Sequence, residues 1–216
     1  MPAPASKIVL QCDFDGTIAT EDVSFLLLDA FVGGDWRKIH EEYHTNRMTV
    51  GEFNQRVFGM VKASREAMLD YLKGHVKIRE GLPELVRVCE QKGIRLVIVS
   101  NGLDFYIEHI LKGMGLSNIE SHAARTTFGP AGLEVAYIGP AGDILMDGFK
   151  ETYTRLFIGQ GCRVIYAGDG FSDAGAAKLA YKIFAIDGLL NYCRQAKLTC
   201  STFEKLSDIA REIEVL

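Results

Sequence analysis

Two carboxylates on alternate residues, Asp13 and Asp15, end a short β-branched run and are followed by Gly16 and Thr17. The run Ile8 to Leu10 reads as a buried strand. Alternate residues of an extended chain point the same way, so both carboxylates fall together at the strand's carboxyl end. Gly16 permits a sharp turn there. Such a pair can divide the work of a group transfer. One carboxylate attacks the electrophile, and the other gives a proton to the leaving oxygen and takes one from water.

Three further groups occupy comparable places. Ser100-Asn101-Gly102 closes the apolar strand that begins at Arg95, and Gly168-Asp169-Gly170-Phe171-Ser172-Asp173 follows the strand Arg163 to Ala167. Lys150 opens the helix that precedes the latter strand. In a parallel sheet these strand ends share one edge, where open sheets bind ligands. Aspartates at 13 and 169 suit Mg²⁺, a hard cation that takes a few carboxylates, waters and phosphate oxygens. The Ser100 hydroxyl, the Asn101 and Gly102 amides and Lys150 can donate to the remaining phosphate oxygens. Phosphoryl transfer needs mainly positioning and charge neutralisation, and this set supplies both.

The elements that must carry these groups are legible from periodicity. Residues 21 to 77 read as several helices, at Val23 to Phe31, around Trp36 to Tyr43, Phe53 to Val61 and Ala67 to Leu72. Gly33-Gly34, Thr49 and Ser64 punctuate them. From Leu82 onward helices and strands alternate. Strands are expected at 95–100, 119–122, 163–167 and 182–186, and a β-hairpin over 126–138 around Gly129-Pro-Ala-Gly132. Helices are expected at 82–92, 105–114, 149–158, after Ser172, at 189–195 and at 203–213. Alternation of this kind predicts an α/β fold with a parallel sheet covered on both faces. The expected division is a core of residues 1–20 and 78–216 and an inserted helical cap of 21–77.

The 216 residues carry a net charge of −4, with 48% hydrophobic and 24% charged residues, as in an ordinary protein with a sizeable core. No basic surplus points to nucleic acid or an anionic membrane. No apolar run approaches the roughly 20 residues that span a bilayer, and the stretch from Met1 to Lys7 lacks an apolar signal core. Five scattered cysteines without a C-x-x-C read as reduced thiols, so a cytoplasmic location is expected.

D-F-D-G-T-I at 13–18, V-S-N-G at 99–102, Lys150 and G-D-G-F-S-D at 168–173, in that order, resemble the four motifs of the haloacid dehalogenase superfamily. The resemblance runs from residue 8 to about 186. It implies a Rossmann-like three-layer α/β/α core, Mg²⁺ dependence and phosphatase activity through an aspartyl-phosphate. It carries Asp13 over as nucleophile and Asp15 as general acid and base, with the Asp15 main-chain carbonyl on Mg²⁺. Thr17 supports the phosphate loop, Ser100 and Lys150 hold phosphate, Asp169 is the side-chain metal ligand, and Asp173 supports the metal shell. The all-helical insertion directly after the first motif, Gly81-Leu-Pro-Glu-Leu85 and the hairpin resemble the phosphoserine phosphatase-like branch. Within it, C-D-F-D-G-T-I at 12–18 and Glu21-Asp22 are similar to the phosphatases of methionine salvage, whereas 139–148 departs from them. The implied partner is a small phosphomonoester, such as phosphoserine or a methylthio-sugar phosphate. Glu21, Asp22 and Arg56 are the candidate specificity residues.

Other readings compete. A phosphotransferase would pass the aspartyl-phosphate to another alcohol, and a non-catalytic protein would only bind the phosphometabolite. His40-Glu41-Glu42-Tyr43-His44 matches H-E-x-x-H, a zinc-protease helix pattern. That last reading lacks a recognisable third ligand and leaves the four phosphatase motifs unexplained.

Overall fold

The computed structural model describes residues 7–32, 34–45, 48–130 and 132–216. The expectations for Met1 to Ser6 and for Gly33 lie outside these residues. Seven strands form one sheet: β1 (Ile8–Cys12), β2 (Arg95–Leu103), β3 (Glu120–Gly129), β4 (Gly132–Ile138), β5 (Ile144–Leu145), β6 (Arg163–Gly168) and β7 (Lys182–Ala185). Their order is β5-β4-β3-β2-β1-β6-β7. β3, β2, β1, β6 and β7 run parallel, while β4 and β5 are antiparallel additions at one edge. The parallel sheet and the hairpin expected from the sequence are both present, joined in one mixed sheet. The expected short strand at 119–122 and the first arm of the hairpin are one ten-residue strand, and its antiparallel return reverses direction at Gly132, whose φ of 129° suits glycine.

Successive residues of a strand face opposite sides of the sheet. Val9, Leu10, Gln11 and Cys12 are all buried, so both faces of β1 are covered. The covering helices are α5 (Leu82–Lys92), α6 (Asp104–Gly113), α7 (Phe149–Gly159), α8 (Ala174–Leu179), α9 (Asp187–Ala196) and α10 (Leu206–Glu214). α5 begins with proline in its first turn and ends at Gly93 in a left-handed conformation.

Between β1 and α5 come α1 (Val23–Phe31), α2 (Trp36–His44), α3 (Val50–Phe58) and α4 (Arg65–Leu72). Thr49 caps α3 in a reciprocal capping box with Glu52, and Ser64 caps α4 through the Ala67 amide. The helices share one apolar core with the sheet: Leu27, Phe58 and Met68 join Leu10 and Ile98. The chain enters and leaves this helical segment at one place. Ala19 bridges Ile78 in antiparallel fashion, and the Thr20 amide donates to the Lys77 carbonyl at 2.9 Å. Arg79 grips the same turn, donating from Nε to the Thr17 carbonyl and from Nη2 to the Gly16 carbonyl, each at 2.7 Å. Among the described residues no helix is long and apolar enough to cross a membrane.

Candidate active site

Strand register sets the site. Cys12 lies level with Ile98 on one side and Ala167 on the other, so the residues that follow all emerge along one edge. The Asp13 amide donates to the Ala167 carbonyl at 2.9 Å and fixes the first of them. Asp13 Oδ1 accepts from the Phe14 amide at 2.7 Å, and its Oδ2 accepts from Lys150 Nζ at 2.5 Å. Lys150 is only 2% exposed. It also donates to Asp173 Oδ1 at 2.6 Å and to Ser172 Oγ at 3.3 Å, which uses all three ammonium protons.

Asp173 is fully buried and saturated. Its Oδ1 also accepts from the Tyr166 hydroxyl at 2.5 Å, and its Oδ2 accepts from the amides of Asp169 (3.0 Å) and Gly170 (2.8 Å). Four donors make it an anchor for the loop that presents Asp169. Asp169 Oδ1 accepts from Thr17 Oγ1 at 2.8 Å, so the Thr17 hydroxyl is spent on Asp169. Gly16, at φ 73°, lets the two loops touch: a Cβ there would lie 2.6 Å from Asp169 Cγ.

Asp13, Asp169 and Asp173 each offer a carboxylate oxygen within 4.8 Å of the others. Burial pushes Asp13 up to about 6 against the opposing pull of Lys150. Burial, then the charges of Asp13 and Asp173, push Asp169 up to about 8. Burial alone would lower the Lys150 ammonium, but Asp13 and Asp173 outweigh it and hold it protonated. One lysine facing three carboxylates leaves negative charge in excess. Among the described residues Asp169 Oδ2 has no protein donor. An all-oxygen set with surplus charge and a free carboxylate oxygen fits a hard divalent cation.

Asp15 is held differently. Its Oδ2 accepts from the Tyr106 hydroxyl and lies 3.3 Å from Ser24 Oγ, while its Oδ1 is buried without a partner among the described residues. Burial, followed by the charge of Asp22, raises it well above the ordinary carboxylate range. The Ser100 hydroxyl oxygen accepts from the Gly102 amide at 3.1 Å. The Asn101 carbonyl accepts from the Tyr137 hydroxyl at 2.6 Å and from Asn54 Nδ2 at 3.3 Å, which ties this end of β2 to β4 and α3.

Asp13, Asp15, Ser100, Asn101, Gly102, Lys150 and Asp169 wall one cavity of about 130 Å³. A chamber of about 580 Å³ adjoins it and shares Tyr43, Val50, Asn101, Lys150 and Ser172. The helical segment contributes Asp22, Ser24, Phe25, His40, Tyr43, Val50, Phe53 and Asn54 to the smaller cavity. The His40 ring packs 4.9 Å from Phe25 and 5.5 Å from Phe53, and Tyr43 stacks 5.2 Å from Phe53. Asp22 borders the cavity, caps α1 through the Phe25 amide at 2.9 Å, and is pushed to about 6 by burial. The other two specificity candidates lie elsewhere. The Glu21 carboxylate accepts from the Lys77 amide (3.1 Å) and Thr20 Oγ1 (2.8 Å) at the entry to the helical segment. Arg56 forms an exposed ion pair with Glu42 at 2.8 Å and lines neither cavity. The His44 side chain lies outside the described residues. Among those described, the acidic trio is the one set of His, Cys, Asp or Glu close enough to share an ion.

Several residues reach the site from outside the motifs: Ser24, Tyr106, Tyr166 and Gln11. Gln11 Nε2 donates to the Lys150 carbonyl at 2.9 Å, and Thr154 Oγ1 donates to Gln11 Oε1 at 2.8 Å. A glutamine inside the otherwise apolar β1 was a readable signal, since a buried amide requires partners.

The sequence profile of the haloacid dehalogenase-like hydrolases matches residues 10–178. The chain is 27% identical over 214 residues to the 2-hydroxy-3-keto-5-methylthiopentenyl-1-phosphate phosphatase of Brevibacillus brevis, covering 97% of this chain and 96% of that one. The enzyme of the same name from Geobacillus thermodenitrificans is 26% identical over 214 residues, 97% of each chain. In three dimensions the chain is similar to phosphoserine phosphatase from T. onnurineus, with a TM-score of 0.70 over 100% of this chain and 98% of that one at 18% identity. A substrate-bound phosphoserine phosphatase gives the same TM-score of 0.70 and identity of 18%, over 97% and 99% of the two chains. With the family profile spanning both aspartate loops, the Ser100 loop and Lys150, this chain belongs to the haloacid dehalogenase-like hydrolases.

Proposed function

We propose that this chain is a Mg²⁺-dependent phosphomonoesterase that hydrolyses a small phosphorylated metabolite through an aspartyl-phosphate on Asp13. The observation that carries the reading is the unequal setting of the two aspartates. Asp13 is neutralised by buried Lys150, whereas Asp15 in the same cavity keeps one carboxyl oxygen without a partner among the described residues. Asp13 attacks phosphorus, and Asp15 protonates the leaving oxygen and then deprotonates water. Lys150 and Ser100 bind phosphate oxygens, as do main-chain amides at Asn101–Gly102 near the end of β2. Asp13 and Asp169, with the Asp15 main-chain carbonyl, would hold Mg²⁺, which when bound supplies positive charge to the phosphate oxygens. Asp173 acts by positioning Lys150 and the Asp169 loop, and Thr17 by positioning Asp169. The helical segment 21–77 serves as a cap over the core of 1–20 and 78–216, and closure of so small a cavity suits a small substrate. A cytoplasmic location is part of this reading, supported by five free cysteines.

Relatives named for a methylthiopentenyl phosphate and structural neighbours named for phosphoserine suggest two substrates. The roof favours the first. Among the described residues, the lining from the helical segment (Asp22, Ser24, Phe25, His40, Tyr43, Val50, Phe53 and Asn54) includes no lysine or arginine to meet the carboxylate of phosphoserine. An uncharged leaving group packs against these rings at no such cost. The test is hydrolysis by purified protein of phosphoserine against an uncharged keto-sugar or methylthio-sugar phosphate, with and without chelator. The expected result is a higher kcat/KM for the uncharged ester and loss of both activities on chelation. A preference for phosphoserine overturns the substrate assignment, and full activity of Asp13→Asn overturns the mechanism.

A further inference from the structure

Tyr106 lies on α6, outside all four motif stretches, and is fully buried. Its hydroxyl donates to Asp15 Oδ2. A phenol has one proton, so Ser24 Oγ, 2.9 Å away, must be the donor to the Tyr106 oxygen. Ser24 stands in the first turn of α1, at the start of the helical segment, and its Oγ is also 3.3 Å from Asp15 Oδ2. The result is a directed chain of hydrogen bonds, Ser24 to Tyr106 to Asp15, in a buried setting where such chains reinforce one another. Gly102 makes room for it. A Cβ at that position would meet the Tyr106 hydroxyl and lie 2.6 Å from Asp15 Oδ2.

We propose that Tyr106, oriented by Ser24, is a positioning residue that occupies Asp15 Oδ2 and thereby reserves Oδ1 for proton exchange with the substrate. The proposal rests on the phosphatase reading above. Two observations support it independently of each other. Oδ2 is occupied by the Tyr106 hydroxyl, whose oxygen takes the Ser24 proton from the helical segment. Oδ1 is buried with no partner among the described residues, and Asp15 borders the small cavity. A buried oxygen without a partner is uncommon and calls for a ligand or a reactive role. When Asp15 is neutral its proton resides on Oδ1, because Oδ2 already accepts from Tyr106. In the first half-reaction an Asp13 oxygen bonds to phosphorus, the bond from phosphorus to the leaving oxygen breaks, and the Oδ1 proton passes to that oxygen. In the second, water attacks phosphorus, the Asp13–phosphorus bond breaks, and a water proton returns to Oδ1. Because Ser24 belongs to the helical segment, the chain is complete only when that segment is seated on the core.

Leaving-group dependence separates positioning of a proton donor from a general structural role. p-Nitrophenolate departs without a proton, phenolate gains from one, and a benzyl alkoxide requires one. Tyr106→Phe is therefore assayed with p-nitrophenyl, phenyl and benzyl phosphate, with Ser24→Ala as the second variant. For Tyr106→Phe, kcat/KM is expected to fall about 10–100-fold for benzyl phosphate and less than about threefold for p-nitrophenyl phosphate, with phenyl phosphate between them. A burst of p-nitrophenol equal to the enzyme present is expected with it, because the second half-reaction also uses Asp15. Ser24→Ala should show the same graded pattern with a smaller amplitude. An equal fall for all three esters, or none, overturns the proposal. Failure of the wild-type protein to hydrolyse any of them overturns the phosphatase reading itself, a result distinct from a uniform loss in the variants.

Discussion

The two walls of the cleft are made by different means. The core wall consists of groups fixed by strand register and ionic hydrogen bonds: Asp13 and Asp173 on Lys150, Asp169 on Thr17, and Asp173 on two backbone amides. The roof consists of rings packed on rings, Phe25 and Phe53 against His40 and Tyr43, with Asn54 as its link to the Ser100 loop. A wall made of charges tolerates little change, because each group neutralises or orients the next. A wall made of ring contacts tolerates changes of shape, and is where one phosphatase can come to differ from another.

Breaking the core wall should give the largest effects. Asp13→Asn is expected to lower kcat by about a thousandfold or more, measured by phosphate release, because it removes the proposed nucleophile. Lys150→Met leaves Asp13 and Asp173 buried without their cation, and should destabilise the protein by about 3–5 kcal/mol in denaturant unfolding. Adding Asp13→Asn to that variant should recover part of the loss, since one buried charge then disappears. A third test concerns the metal. Burial raises Asp13 to about 6 and Asp169 to about 8, so the folded chain binds more protons than the unfolded one above the ordinary carboxylate range. The stabilising contribution of these groups is full in acid and is lost as pH rises through about 6 to about 8. The chelated protein should therefore melt several degrees below the Mg²⁺-loaded one at about pH 8, with the gap closing toward about pH 5. A gap that widens in acid would contradict this charge balance.

Changes to the roof should be milder. Phe53→Leu is expected to cost about 1 kcal/mol of stability and to shift KM among substrates while leaving kcat within a few-fold. A collapse of kcat would mean that the roof takes part in the chemistry. Arg56→Ala should be the smallest change, within about 0.5 kcal/mol and with unaltered kcat/KM, because an exposed ion pair contributes little.

The same contrast explains what could be read from the sequence. Asp13, Asp15 and Asp169 follow strands whose apolar runs are plain, Ser100 lies near the end of another, and parallel pairing brings strand ends together whatever the helices do. The mixed character of the sheet was harder to see. The hairpin at Gly129–Gly132 was legible, but nothing local says that its first arm continues the parallel strand at Glu120–His122. Tyr106 and Ser24 were invisible because a hydroxyl on a helix gains its meaning from the neighbour across the cleft. Glu21 and Arg56 attract attention as charges near the right place. Glu21 completes the hydrogen bonds of the turn at Thr20 and Lys77, and Arg56 faces Glu42 in solvent. Charge read without orientation cannot separate these outcomes.

The bridge at Ala19 and Ile78 bears on how such a chain can change over time. Because Thr20 and Lys77 already face each other across a backbone hydrogen bond of 2.9 Å, the helical segment hangs from the core as a side branch on one closed stem. A tight turn joining those two residues would leave the sheet's connections unstretched. Lineages descended from such a chain are free to lengthen, trade or delete the branch without re-threading the catalytic edge.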